Sequence, residues 1–523
     1  MTINTVNTFI KSLPSDTILT NSRRQVAGAC YSFVTPKQTK KPELIHASLL
    51  VANEIGLNAS DTQSKEFLNF FTGNTPIPNT TPYAMCYGGH QFGNWAGQLG
   101  DGRAINLTEV IHNKNRWTLQ LKGAGATPYS RTADGLAVLR SSVREYLCSE
   151  AMFHLGIPTT RALSLALSGD DVLRDVLYDG HPAYEKGAIV CRVSPSFLRF
   201  GSYEIHASRQ DYNTLKTLVN YTIKHHYQEI TTCDKNGYLQ FFKTVTQQTL
   251  HMILNWQRVG FVHGVMNTDN MSVLGLTIDY GPYGWLEGFD FDWTPNTTDK
   301  QQKRYRFGNQ PNIGLWNLLQ LANALYPLIE DATALEDILN SYNQSFHSEY
   351  QKMMLSKLGL FTIKNEDKTL LKDLEANLHL TETDMTIFFR NLSNFTTHTP
   401  IDNTNSFLDI ISAAFYTPNE LTETIVNRWK TWFKQYQNRL KEDTTSTNRK
   451  QKMNAVNPKY VLRNYMAQLA IDAANKGDYN VIKELYTMLK KPYDEQPQYE
   501  KWFAKRPEWA RHKVGCSMLS CSS

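Results

Sequence analysis

A chain of 523 residues is long enough for about three domains and a large core, and 41% hydrophobic with 20% charged residues is an ordinary globular composition. A formal charge of +5 is small for this length and does not argue for a nucleic-acid partner. No run of 18 apolar residues occurs, the first residues lack a basic-then-apolar signal, and the seven cysteines include no Cys-x-x-Cys pair, so we expect a cytoplasmic protein with no membrane span and no structural zinc.

Residues 1–82 read as a front section that packs on the neighbouring domain. The spacing predicts a helix over 43–54, with Leu44, Leu49, Leu50 and Ala52 on its apolar side, and a capped helix over 60–71. Residues 73–82 carry three prolines and read as a connector.

Glycines crowd the next stretch, where Gly88, Gly89, Gly93, Gly97, Gly100 and Gly102 precede Arg103 and a strand over 105–107. Backbone without Cβ atoms can approach a phosphate closely and offer it free N–H groups, although a tight strand turn uses the same residues. There is no GxxxxGK[ST] pattern, which excludes a Walker-A loop. Residues 117–122 alternate as a half-buried strand ending at Lys122. A strand-borne lysine reaches nucleotide phosphates in kinases, and a solvated strand-end lysine is the other reading. Asp134 and Gly135 lie in a polar loop before a predicted helix over 137–155, which Gly156 closes. Glu145 sits beside the apolar stripe of that helix, 23 residues from Lys122. That separation spans a strand end, a loop and about two helical turns, so the carboxylate can meet the lysine; otherwise it pairs with Arg140 or Arg144 on the helix surface. A strand over 187–193 carries Arg192, and Arg199 follows. Two guanidinium forks suit phosphate, or they serve structural ion pairs.

Helices over 211–227 and 238–258 lead to His263-Gly264-Val265-Met266-Asn267-Thr268-Asp269-Asn270. Residues 271–278 read as two short strands turning at Gly275, and Asp279-Tyr280-Gly281 follows. An amide oxygen from Asn270 and a carboxylate from Asp279 suit a hard Mg²⁺ that keeps phosphate ligands. Glycine loop, lysine strand, glutamate helix, Asn loop and Asp-x-Gly occur in the order found in kinases. Val265, however, occupies the position of the kinase aspartate and cannot accept a proton. Asp269 is the candidate replacement, unless Asp269-Asn270 is only a polar turn. Beyond the site, Trp285 and residues 289–293 read as packing more than as a substrate surface. Helical periodicity continues over 312–328, 335–358, 370–380, 410–415, 420–440, 460–474 and 479–489, with a charged linker over 441–452.

Together these motifs resemble the selenoprotein O family of pseudokinase-like proteins. The matching stretches include 87–93, 98–104, 119–123, 127–131, Asp134-Gly135, 139–145, 156–161, 196–201, His263-Gly264, 267–271, 279–282 and 457–464. The resemblance implies an α+β, protein-kinase-like bilobal fold: a small β-rich N-lobe over 83–205 and a helical C-lobe over 206–400, flanked by an extension over 1–82 and a helical one over 401–523. It implies transfer of AMP from ATP to Ser, Thr or Tyr hydroxyls of other proteins, with ATP bound in a flipped orientation; UMP transfer from UTP with Mn²⁺ is attributed to bacterial members. Residue by residue, Gly100, Gly102, Arg103, Lys122, Asp134, Gly135, Arg192, Arg199 and Asp279 would hold the nucleotide. Asn270 and Asp279 would bind Mg²⁺ or Mn²⁺, Asp269 would accept the proton, and Glu145 would orient Lys122. Cys521 occupies the position of selenocysteine in some eukaryotic members. A small-molecule kinase and a non-catalytic nucleotide-binding pseudokinase remain the alternatives.

Overall fold

Alternating patterns in the first 200 residues build one antiparallel sheet. The computed structural model describes residues 1–176, 180–401, 406–443, 447–516 and 518–520. The strands are β1 (Thr5–Val6), β2 (Tyr31–Phe33), β3 (Glu43–Ala47), β4 (Tyr83–Met85), the separate small hairpin β5 (His90–Gln91) and β6 (Asn94–Trp95), then β7 (Ala104–His112), β8 (Asn115–Lys122), β9 (Arg161–Arg174) and β10 (Ala183–Ser194). Their order in the sheet is β2-β4-β7-β8-β10-β9-β3, with β1 beside β7. In β8 the leucines at 119 and 121 face one side, while Gln120 and Lys122 face the other. The register sets Gln120 opposite both Asn106 on β7 and Arg192 on β10, so one face of the central strands carries a polar row.

The apolar face of the sheet is covered by the front section: Phe67, Phe70 and Phe71 pack with Ile105, Leu119, Leu121 and Ile189. Each such buried phenylalanine contributes roughly 1.5–3 kcal/mol. The helices here are α1 (Thr8–Ser12), α2 (Leu49–Glu54), α3 (Ala59–Thr62) and α4 (Lys65–Phe71). The expected helix over 43–54 is therefore half wrong. Its first part is β3, recruited by pairing with β9 (Glu43 opposite Leu167), and Ser48 then caps α2 by accepting from Val51 N at 3.3 Å. Edge pairing overrides the local helical spacing. The helix expected over 60–71 is split, because Ser64 starts a second helix by capping Phe67 N at 3.0 Å.

On the other side of the sheet, α5 (Leu139–His154) packs Val143, Leu147 and Ala151 in one core with Ala162, Leu165 and Val190. The helical region continues as α6 (Phe200–Ser208), α7 (Tyr212–His226) and α8 (Lys235–Val259), the last two capped by Asp211 and Asp234. Strands β11 (Phe261–Val262) and β12 (Gly284–Trp285) pair across the base of the segment that carries the Asn and Asp motifs. The two strands expected over 271–278 reduce to a single bridge between Met271 and Thr277, turning at Gly275. Then come α9 (Gln310–Ile329), α10 (Ala332–Lys357), α11 (Asp367–Leu378), α12 (Met385–Leu392), α13 (Ser406–Ile411) and α14 (Glu423–Glu442), and after them α15 (Arg449–Val456), α16 (Asn464–Asn475) and α17 (Asn480–Leu489). In the stretch 441–452, expected as a linker or mobile loop, residues 441–442 close α14 and 449–452 open α15, while 444–446 lie outside the described residues. Trp285 and Phe289 are buried, as packing requires. Among the described residues no helix is long and apolar enough to cross a membrane. Cys30, Cys86, Cys148, Cys191, Cys233 and Cys516 are free thiols, and Cys521 lies outside the described residues.

Candidate active site

The polar row of the sheet opens onto a cleft of about 750 Å³ lined by Gly100, Gly102, Arg103, Lys122, Asp134, Gly135, Arg192, Arg199, Asp269, Asn270 and Asp279. Every residue expected to touch nucleotide or metal is in that lining. Glu145 stands behind it, 2% exposed, and its carboxylate takes the Lys122 ammonium in a direct ion pair. Burial pulls the Lys122 pKa down from its usual value, while Glu145 pulls it back up. The other Glu145 oxygen accepts from Arg192 at 3.0 Å. Lys122, Glu145 and Arg192 are thus one unit, carried by β8, α5 and β10.

Asp279 ties the two arginines together. One carboxylate oxygen accepts from Arg192 at 2.5 Å and the other from Arg199. Burial alone would raise its pKa, but Arg199, Arg192 and Lys122 hold it well below the usual carboxylate range. Its φ is +57°, a left-handed conformation that Asp tolerates better than most residues. Arg192 also donates to Gln120, and Arg199 donates to the Asp269 carbonyl at 2.7 Å while its guanidinium lies 4.6 Å above the Tyr87 ring.

Asp269 sits in the short turn Thr268–Asn270 and is 8% exposed. Burial raises its pKa to about 7, against the opposing pull of Arg199 and a 3.3 Å hydrogen bond from Gln91. Asn270 donates from its amide nitrogen to Val265 O at 2.9 Å, which leaves its amide oxygen as the end available to the cleft. His263 is buried, donates from Nε2 to Ile278 O at 2.8 Å at the segment's other end, and stacks on Trp256; it holds the two motifs together rather than facing the cleft.

The glycine loop is shaped by what touches it. Gly100 has φ +76°, and a Cβ there would run into the Tyr129 ring; a Cβ on Gly102 would meet Tyr129 O at 2.9 Å. Between them Asp101 is buried, accepts from Met85 N at 3.0 Å, and lies 3.7 Å from Arg199. Asp134 differs from expectation in one respect. Its carboxylate is held in a fork by Arg174 at 2.7 and 2.8 Å, so its side chain is engaged before any nucleotide arrives. That contact crosses from β9, a strand for which the sequence carried no expectation.

Gln91, Asp101 and Arg174 line the cleft and Gln120 accepts from Arg192 behind it, and sequence reasoning passed over all four. Gln120 was legible in principle, since it alternates onto the Lys122 face of β8. Asp101 lies between the two glycines already singled out.

The donors fit a hard divalent ion in part. Each Asp279 oxygen accepts one guanidinium N–H and keeps a second lone pair, and the Asn270 amide oxygen is the other donor. Among the described residues no group of three or more His, Cys, Asp or Glu could hold a metal by itself, so such an ion would need phosphate oxygens to complete its shell. The charges match such a load. Lys122, Arg192 and Arg199 balance Asp101, Glu145 and Asp279, and Arg103 and Arg131 at the cleft wall add two cations for a phosphate chain.

A buried lysine–glutamate pair, two arginines on one carboxylate and a second carboxyl whose pKa burial raises to about 7 meet at one cleft, an arrangement suited to nucleotide phosphates, and the protein is a nucleotidyltransferase, as its family shows. The family described as protein adenylyltransferase SelO matches residues 18–490, and the chain belongs to that family. Relatives named protein nucleotidyltransferase YdiU match it over nearly full length. That of Flavobacterium johnsoniae is 63% identical over 518 residues, covering 99% of each chain. That of Rhodopirellula baltica is 54% identical over 532 residues, covering 99% of this chain and 98% of its own, and that of Aromatoleum aromaticum is 53% identical with 99% of each covered.

Proposed function

We propose that the protein transfers AMP from ATP to a Ser, Thr or Tyr hydroxyl of a protein substrate, in a kinase-like bilobal fold with lobes at 83–205 and 206–400 and extensions at 1–82 and 401–523. The observation that carries this reading is the loop at 263–270. Valine stands where a kinase places its base, and four residues on, Asp269 supplies a cleft-lining carboxyl whose pKa is close to physiological pH. A base moved along its loop fits a nucleotide whose reacting phosphorus has moved as well. In the flipped orientation the terminal phosphates lie against Lys122, Arg192 and Arg199, and the α-phosphate faces Asp269. Gly100, Gly102 and Arg103 would support the phosphate chain, with Asp134 and Gly135 farther along it.

The substrate oxygen attacks the α-phosphorus, its proton passes to a carboxylate oxygen of Asp269, and the bond from the α-phosphorus to the bridging oxygen breaks. The electron pair leaves with pyrophosphate, whose charge Lys122, Arg192 and Arg199 neutralise. Glu145 keeps Lys122 charged and aimed. Mg²⁺ or Mn²⁺ held by Asn270 and Asp279 would supply further neutralisation of the phosphate oxygens. UTP is the alternative donor in the same site, and the cytoplasm is the compartment we assign.

Incubation with ATP labelled at either phosphorus tests this. We expect label on protein from α-labelled ATP alone. Label from γ-labelled ATP alone would establish the kinase reading, and label from neither would establish a nucleotide-binding scaffold. The pH profile gives a second test. Asp269 must be ionised to accept a proton, so kcat/KM should rise with pH up to about 7 and then level off. Below that pH the rate should fall about tenfold per unit, and Asp269→Asn should remove the acid limb together with the activity.

A further inference from the structure

We propose that Lys300, Lys303 and Arg304, with Trp316 and Trp95 beside them, form the docking surface for an acidic segment of the protein substrate. This rests on the transfer reading above, since a substrate chain must lie against the surface that continues from Asp269.

The surface is joined to the catalytic loop. Tyr305 follows Arg304; its hydroxyl donates to Asn267 Oδ1 at 2.5 Å and accepts from Phe92 N at 3.0 Å. Asn267 and Phe92 both line the cleft. Asp299 fixes the basic turn by accepting from Arg304 N at 2.9 Å and Tyr305 N at 2.7 Å, so the cations are presented from a braced backbone. The opposite wall is the β5–β6 hairpin, whose Gln91 bonds to Asp269. At Gly93 of that hairpin a Cβ would come within 3.3 Å of the Arg304 guanidinium carbon.

Among the described residues these cations make no close ion pair, although the Asp299 carboxylate that braces the turn lies near enough to feel the Arg304 charge. Arg306 pairs with Asp292 at 3.0 Å, but among the described residues no ion pair joins Lys300, Lys303 or Arg304 to a carboxylate. The lysines are exposed, and the buried Arg304 Nε has no hydrogen-bond partner. The Arg304 guanidinium carbon lies 4.7 Å from the centre of the Trp316 ring, a cation–π contact that fixes the charge beside the aromatic side chains. Trp316 meets His90 at 5.5 Å, and His90 meets Trp95 at 5.1 Å. Trp95 is 40% exposed and Leu319, one turn beyond Trp316 on α9, is 41% exposed. Cations beside a half-buried aromatic row that ends at the exposed Trp95 fit carboxylates adjacent to an apolar side chain.

The test uses the full-length protein and two fluorescent peptides, each with one Tyr and one Leu: one carries four Asp or Glu residues, and its isostere carries Asn or Gln instead. Anisotropy reads docking and α-labelled ATP reads transfer. Wild type should bind the acidic peptide about tenfold or more tighter than the isostere. The variant Lys300→Glu/Lys303→Glu/Arg304→Glu should erase that preference, raising KM for the acidic peptide while kcat and the rate on the isostere stay within about twofold. Arg304→Gln, which keeps the fold's shape, should give an intermediate loss. Equal binding of the two peptides by wild type, or an unchanged preference in the triple variant, would overturn the proposal. So would a single-stranded DNA oligomer that competes as well as the acidic peptide at matched charge, because the patch would then serve nucleic acid. Preference in anisotropy with no label on either peptide would leave the docking surface standing and remove the transfer reading.

Discussion

Asp279→Ala will reduce transfer of AMP to protein by about 10³-fold or more, the scale expected when a charge-neutralising group at a reacting phosphate is removed. The loss should fall on kcat. Arg192 keeps its bonds to Glu145 and Gln120, and Arg199 keeps the Asp269 carbonyl and Asp101, so neither guanidinium is left wholly unpaired. The stability cost should therefore be about 3 kcal/mol or less, at the lower edge of the range for breaking a buried ion pair. ATP binding measured without metal should survive in this variant or tighten, because each arginine then has the donor that Asp279 occupied available for phosphate. Asp279→Asn is the sharper control. Asparagine accepts the left-handed backbone at this position and keeps the shape, so the fold should be retained while transfer is still lost. Calorimetry with ATP, alongside turnover, separates the two effects; wild-type turnover in either variant would remove Asp279 from the site.

Lys122→Ala will lower kcat/KM by about 10²–10³-fold, the effect of deleting one preorganised donor from a charged transition state. The variant also leaves Glu145 buried with Arg192 as its remaining partner. Part of that loss is therefore a matter of geometry: with its lysine gone, Glu145 can draw Arg192 away from the phosphates. Lys122→Met with Glu145→Gln tests this. If the unpaired Glu145 draws Arg192 away, the double variant should recover part of the activity lost in Lys122→Met. Equal activity in the two would show that Glu145 acts only through Lys122, and a further drop that Glu145 holds Arg192 in its productive place.

The Lys122–Glu145 contact was legible because it follows from two local periods, a strand that ends at a lysine and a helix that starts a fixed number of residues later. The Asn270 and Asp279 positions were legible for the same reason, since one short turn separates them. The site fails to be legible where long-range pairing decides. Asp134 looked like a free ligand, and only β9 brings Arg174 against it from 40 residues away. Residues 43–47 looked helical, and only β9 makes them a strand. The clamp of Asp279 between Arg192 and Arg199 needs β10, α6 and the 263–279 segment together, and no local spacing announces it. Val265 is the complementary case: it departs from the kinase pattern, and the proposal of Asp269 as the base starts from that departure.

The orientation of the nucleotide is the central claim, and a crystal structure of the protein with a non-hydrolysable ATP analogue and Mg²⁺ measures it directly. The terminal phosphate should contact Arg192, Arg199 and Lys122, the ion should sit between Asn270 and Asp279, and the α-phosphorus should lie on the Asp269 side of the cleft. Adenine buried beneath the sheet, with the γ-phosphate directed at Asp269, would contradict AMP transfer and restore an ordinary kinase.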